Sequence, residues 1–352
     1  MHYKIFGRRT GLRVSELALG AANFGTRWGH GAGRNEANKV FDAYVEAGGN
    51  FIDTANSYQF GESEELVGEF IGADRDYFVL ATKYTLATTA ADGISRTGNS
   101  RKNMVRSVEG SLKRLKTDRI DLYWAHFADG STPMDEILRA FDDLVRAGKI
   151  HYTGLSNFPA WRVSRADLLA EVRGWAPLAG IQIEYSLAER TAGRELLPMA
   201  EALGLGAALW SPLGGGFLTG KYRASEEGRI NSVLARLVHT EKTARETAIL
   251  DAVLSIGREA GASPGGVAIA WLLDKARRST TALIPILGPR TPEQLAGSLS
   301  ALDLALTQEQ IMRLDEASAV SLGTPHEQIQ GSGADIAGGS PELLDPPIVP
   351  VP

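Results

Sequence analysis

Residues 51–83 read FIDTANSYQFGESEELVGEFIGADRDYFVLATK, and the fold follows from how this stretch divides. Phe51–Ala55 is a short apolar run of strand length. A polar loop with Asn, Ser and Gly follows, then Ser63–Ile71 with apolar residues at helical spacing, then a second apolar run, Phe78–Lys83. Strand, helix and strand in that order make a βαβ unit with parallel strands. Outward from it the alternation repeats. Further short runs lie at Glu16–Gly20, Ile120–His126, Ile150–Asn157, Gly180–Tyr185, Gly206–Leu213 and Ala282–Gly288. Several are apolar throughout their middles, as strands covered on both faces are.

Helical patterns fill the gaps: Asn35–Ala47, opened by an Asn cap and closed at Gly48-Gly49, then Arg101–Leu115, Met134–Ala147, Pro159–Arg173, Thr191–Leu203 and Thr291–Leu302. In Arg101–Leu115 the apolar Met104, Val105, Val108, Leu112 and Leu115 keep one face. Eight strands with helices between them predict an α/β fold, a closed (β/α)8 TIM barrel. An open doubly wound sheet would usually carry GxGxxG after its first strand, and the glycines between Gly20 and Gly33 do not keep that spacing. Tyr3–Phe6 and Leu12–Leu19 flank a polar turn and predict an N-terminal β-hairpin. The expected organisation is one barrel domain over 1–318 and an extended or flexible tail over 319–352, which holds 6 of the chain's 15 prolines.

Composition excludes several functions. The 352 residues are 43% apolar and 22% charged with a net charge of −5, which suits a globular chain and gives no basic excess for nucleic acid. Cys is absent, which removes disulfides and thiolate chemistry, and the six His form no HxH or HExxH pair, so no metal site is expected. Residues 202–220 carry no charge over 19 positions, but six Gly and Pro212 indicate a strand entering a glycine-rich loop rather than a membrane helix. No signal-peptide pattern opens the sequence. The expectation is a cytoplasmic protein with no membrane or nucleic-acid partner and no assigned oligomeric state.

A parallel barrel puts its chemistry at the C-terminal ends of its strands. Those ends carry Asp53 with Tyr58 in the following loop, Lys83, His126, Ser156 and Asn157, Gln182 and Tyr185, Trp210 and Ser211, and Gly288-Pro289-Arg290. Taken singly, each has an ordinary structural use. Asp53 suits a turn, Tyr58 a packed loop, His126 a bonded core position, Trp210 a barrel filler, and Ser156-Asn157 a helix cap. Together they suit proton transfer to a carbonyl: an ammonium beside a tyrosine stabilises its phenolate, an aspartate holds the ammonium, and a histidine orients the carbonyl oxygen. No side chain in the set is a two-electron donor, so reduction requires a cofactor.

At this point the residues carry a resemblance. The stretches FIDTANSYQFGESEELVGEF, LATKY, GNSRKNMVRSVEGSLKRLKTDRIDLYWAHF, GLSNF, IQIEYSLAER, WSPLGGGFLTGKY and IPILGPRTPEQL are similar to the aldo-keto reductases over roughly residues 3–317. The resemblance implies a barrel closed at the bottom by its hairpin and a catalytic tetrad of Asp53, Tyr58, Lys83 and His126, with Tyr58 as general acid. It implies NADPH, in preference to NADH, and a small-molecule carbonyl substrate (aldehyde, ketone or sugar-like). Ser156, Asn157 and Gln182 would bind the carboxamide and Trp210 would stack on the nicotinamide, where the family usually has Tyr. Ser211, Leu213, Gly215 and Lys221 would lie at the pyrophosphate, and Gly288, Arg290, Gln294 and Ser298 at the adenosine. Arg290 favours a 2′-phosphate, and Ser298 stands where the family usually has Asn. Phe24, Trp28 and Phe127, with Tyr58 and His126, would line the substrate pocket. Two other readings compete: a cofactor-bound regulatory or partner-binding subunit of the same fold, and a Schiff-base aldolase using Lys83.

Overall fold

The computed structural model describes residues 1–89, 91–224 and 238–352. Two strands, β1 (Tyr3–Ile5) and β2 (Arg13–Ser15), pair antiparallel as the expected hairpin. Eight parallel strands then close a barrel: β3 (Ala18–Gly20), β4 (Phe51–Asp53), β5 (Val79–Tyr84), β6 (Ile120–Ala125), β7 (Ile150–Ser156), β8 (Leu178–Glu184), β9 (Gly206–Trp210) and β10 (Leu283–Leu287). Each strand pairs with its neighbour in sequence, and β10 pairs back onto β3 through Ile286 with Ala18 and Leu287 with Leu19.

The helices are α1 (Arg34–Glu46), α2 (Glu62–Phe70), α3 (Arg101–Leu115), α4 (Met134–Arg146), α5 (Ala160–Arg173), α6 (Leu196–Leu203), the single turn α7 (Lys221–Ala224), α8 (Ala244–Ala260), α9 (Pro264–Arg278), α10 (Pro292–Leu299), α11 (Gln308–Ala317) and, in the tail, α12 (His326–Gly331) and α13 (Gly333–Ile336). Three expectations are corrected. Asn35 is not the cap of α1, because Gly33 takes the extended cap position and the helix starts at Arg34. Thr191–Leu203 is not one helix: a 3₁₀ turn over Thr191–Gly193 precedes α6, and Glu195 stands between them in a non-helical conformation. Helices α8 and α9 escaped the strand–helix count, although both carry sequence signals: a Thr243/Glu246 capping box starts α8, and Ser263 caps α9 with Pro264 in its first turn.

The barrel bottom shows why the hairpin is there. Phe6, fully buried, meets Phe51 and Trp124 edge-on at ring separations of 5.7 and 6.3 Å. Glycines on β9 and β7 make room: a Cβ on Gly206 would come within 2.8 Å of the Phe6 ring, and one on Gly154 within 2.2 Å of Trp124. The second apolar layer lies between barrel and helices. Residues 202–220 are the end of α6, then β9, then 3₁₀ turns over Gly214–Thr219. Among the described residues no helix is long and apolar enough to cross a membrane.

Candidate active site

Consecutive strands bring the expected tetrad to one mouth. Asp53 ends β4, Lys83 is the penultimate residue of β5, and His126 follows β6 directly. Ladder pairing sets their depth, since Asp53 aligns with Ala81 and Lys83 with Trp124. Lys83 is fully buried. Its Nζ donates to Asp53 Oδ2 at 2.5 Å, to the Thr54 carbonyl at 2.8 Å and to Tyr58 Oη at 3.1 Å. Three acceptors fill the donor capacity of the ammonium. Burial alone would push the lysine down, but the charges of Asp53 and Tyr58 and its bonds to both leave it raised, so it stays charged. His126 is the converse: burial first, and then the Lys83 charge, hold its imidazole well below the usual histidine range. It is therefore neutral near pH 7 and serves as a hydrogen-bonding group, not as a cation. Its Nδ1 has no hydrogen-bond partner among the described residues.

A second set adjoins the first. Gln182 on β8 donates from Nε2 to Asp53 Oδ1 at 2.8 Å. Asn157, in a left-handed conformation at the end of β7 (φ 55°), donates from Nδ2 to the His126 carbonyl and to Ser156 Oγ, both at 3.0 Å. Its Oδ1 accepts from Trp210 Nε1 at 3.1 Å, which fixes the indole at the end of β9. Thus Ser156, Asn157, Gln182 and Trp210 form one bonded arc around the buried lysine.

Beyond Trp210 the chain turns at Ser211 (φ 57°), whose Oγ accepts from the Gly215 N–H at 3.1 Å. Gly214, Gly215 and Gly216 all have positive φ, and a Cβ on Gly216 would meet the Lys221 side chain at 2.7 Å, so the loop is a tight cradle with a cation against it. Leu213 packs half-buried on the core. At the other edge Gly288 accepts at its carbonyl from Asn23 Nδ2 at 2.7 Å. Arg290 stands before α10 with its N–H bonded to Gln294 Oε1 at 2.9 Å, and its guanidinium makes no ion pair among the described residues. Ser298 is buried on α10, its hydroxyl proton given to the Gln294 carbonyl at 3.0 Å.

The mouth is framed by rings. Tyr58 meets Trp28 edge-on at 6.1 Å and His126 at 5.9 Å, and His126 stacks on Phe127 at 4.7 Å. Phe24 is the exception and a correction: it is fully buried, its ring against Phe70 of α2, and so belongs to the core behind the loop rather than to the rim. Sequence reasoning passed over Phe60, which is exposed and meets Trp28 edge-on at 6.4 Å. It also passed over Asn99, whose Nδ2 bonds the Phe127 carbonyl at 2.7 Å and whose Oδ1 accepts from Thr85 Oγ1. The GNSRKNM stretch that holds Asn99 was the available signal. Glu184, two residues after Gln182 on β8, accepts from His239 Nε2 at 3.0 Å, and the His239 backbone N–H bonds the Gly214 carbonyl. Nothing local in the sequence linked those two.

Comparison with known proteins gives a family and relatives. Residues 16–319 match the model of the aldo/keto reductase family. The chain is 40% identical to the oxidoreductase YrpG of Bacillus subtilis (strain 168), over 90% of this chain and 95% of that one. It is 36% identical to the aryl-alcohol dehydrogenase [NADP(+)] of Phanerodontia chrysosporium, over 92% and 88%. It is 35% identical to the norsolorinic acid reductase of Aspergillus flavus, over 92% and 83%.

Proposed function

The chain belongs to the aldo/keto reductase family, and from that premise we propose that it reduces an aromatic aldehyde or ketone to the alcohol with NADPH as donor and Tyr58 as general acid. The observation that carries this reading is the buried Lys83 ammonium, which bonds Asp53 and Tyr58 Oη at once. When bound, the reduced nicotinamide supplies the hydride. This chain's residues do the rest. Tyr58 gives its proton to the carbonyl oxygen, and Lys83 stabilises the phenolate left behind. Asp53 keeps Lys83 charged and in place. Neutral His126, edge-on to Tyr58, orients the same oxygen.

Several features fit a dinucleotide. Trp210 offers an indole fixed by the Asn157 amide, and the Gln182 amide is held by Asp53. The glycine cradle with Lys221 suits a pyrophosphate. An Arg290 guanidinium that makes no ion pair among the described residues suits a 2′-phosphate, which is the reason to favour NADPH over NADH. The aromatic rim of Trp28, Phe60 and Phe127, together with relatives named for an aryl alcohol and for norsolorinic acid, supports a ring-bearing carbonyl as substrate.

The test is a titration with NADPH and NADH followed by Trp fluorescence, then turnover of aryl aldehydes by the wild type and by Tyr58→Phe. NADPH binding retained in Tyr58→Phe with a rate loss of about 10²–10⁴ supports the reading. Tight binding without turnover of any carbonyl favours the regulatory-subunit reading, and no binding of either cofactor overturns the proposal.

A further inference from the structure

Gln59 follows Tyr58 directly and has no part in the reaction described above, yet its amide is fully buried and every polar atom of it is bonded. Oε1 accepts from the Trp28 N–H at 2.8 Å. Nε2 donates to the His30 carbonyl at 3.0 Å and to the Ala22 carbonyl at 3.3 Å. All three partners are backbone groups of one loop, the segment between β3 and α1 that carries Trp28. Gln59 (φ 50°) and Phe60 (φ 54°) are both left-handed, a conformation that non-glycine residues hold only when their surroundings impose it. The loop is shaped to receive the amide. Its ends are tied by Gly25 N–H to Ala32 O at 2.8 Å and Ala32 N–H to Asn23 O at 2.7 Å. A Cβ on Gly31 would lie 3.0 Å from Gln59 Nε2. Glu62, at the start of α2, adds a second strap by accepting from the Thr26 and Arg27 N–H groups at 2.8 and 3.0 Å.

We infer that Gln59 is a positioning residue that fixes the gap between Trp28 and Tyr58 and so selects flat, ring-bearing carbonyls over small ones. The inference rests on the reductase reading and deepens it. Tyr58 stands between two rings that meet it nearly at right angles, Trp28 at 80° and His126 at 78°. A planar substrate entering that frame gains ring contact only if Trp28 is held at its distance. A small aldehyde needs the Tyr58 hydroxyl alone. Because the clamp and the general acid are adjacent in sequence, the wall is referenced to the acid rather than to the barrel.

The experiment uses the full chain with NADPH. KM and kcat are measured separately for a naphthaldehyde and for propanal in the wild type, Gln59→Leu and Gln59→Glu. Leu keeps the bulk and loses all three bonds, whereas Glu keeps the acceptor for Trp28 and loses both donors. Trp28 emission is read as the difference between each protein and the same protein carrying Trp28→Phe, without substrate. The expected result for Gln59→Leu is a KM for naphthaldehyde raised about tenfold, the loss of roughly one buried hydrogen bond's contribution, with kcat within about twofold. Propanal kinetics stay within about twofold, Trp28 emission shifts to the red, and Gln59→Glu falls between. If Leu at this position fails to fold, the same split in Gln59→Glu decides. Equal kcat losses on both aldehydes, or Trp28 emission that does not move, overturn the role of Gln59 alone. A wild type that binds NADPH and reduces neither aldehyde overturns the reductase reading instead.

Discussion

Gln182 Nε2 donates to Asp53 Oδ1 at 2.8 Å across 129 positions of chain, while the other carboxylate oxygen of Asp53 is held by Lys83. The carboxylate is thus shared between the Gln182 amide and the lysine that bonds Tyr58, one oxygen each. Substituting either partner should expose that division. Asp53→Asn removes the carboxylate bonded to the fully buried Lys83 ammonium, and breaking such a pair costs about 3–5 kcal/mol. Gln182→Leu removes one neutral donor and costs about 1–3 kcal/mol. Urea unfolding of the two variants measures the contrast, and equal losses would sink the account.

His126 gives a pH signature. Its folded imidazole is held well below the ordinary value of 6.5, by burial and then by the Lys83 charge. Between the folded value and 6.5 the unfolded chain binds a proton that the folded chain does not. Stability is therefore complete above 6.5 and falls as the pH drops below it, by about 1.4 kcal/mol per pH unit for one group. His126→Gln should lack that component. The check is the unfolding free energy of both proteins at pH 5 and pH 7.5: the wild type should lose more on acidification.

His239 has the opposite sign. Its bond to Glu184, the largest cause, raises it above 6.5 against partial burial. Its stabilising contribution is fully present below 6.5 and is lost as the pH rises through the folded value. Unfolding midpoints of wild type and His239→Gln should therefore differ more at pH 6 than at pH 8.5, and a gap that stays constant with pH would rule out an ionic bond.

The barrel and the meeting of Asp53, Lys83 and His126 at one mouth were legible because both write themselves locally. A buried parallel strand is an apolar run whose C-terminal end opens on the mouth, so FIDTA, LATKY and YWAH each place one polar side chain at or beside that end: Asp53, Lys83 and His126. What was not legible depended on contacts distant in sequence. Phe24 looks like a rim residue until α2 brings Phe70 onto it. Gln59 looks like loop filler until its amide is seen to bridge to residues 22–30. Helices α8 and α9 were different, since their caps were plain in the sequence and only the absence of a strand between them hid them from an alternating pattern.

Arg290 tests the proposed preference for NADPH. Its guanidinium makes no ion pair among the described residues, and Ser298, one helical stretch on, spends its proton on its own backbone. If Arg290 holds a 2′-phosphate by charge-assisted bonds, Arg290→Gln should raise the Kd for NADPH about 10- to 100-fold and leave NADH within about twofold. Fluorescence titration of both cofactors measures the ratio. Equal weakening of the two would assign the residue to the adenine or to the fold.

The far end of the barrel should answer to packing alone. A Cβ on Gly206 would lie 2.8–2.9 Å from three atoms of the Phe6 ring, closer than carbon contacts tolerate. Phe6 cannot yield, because Phe51 and Trp124 already meet it edge-on. Gly206→Ala should therefore cost about 1–3 kcal/mol as overpacking. Phe6→Leu should cost a similar amount by leaving a void. In the double variant the smaller side chain gives the new methyl its space, so the two losses should sum to less than their separate values. Unfolding free energies of the four proteins close that cycle. Aldehyde kcat/KM in Gly206→Ala should stay within about twofold of the wild type, since the Cβ is added at the start of β9 and the Tyr58 mouth lies at the opposite ends of the strands. A large rate loss with a small stability loss would mean that the plug and the mouth are coupled through the strands.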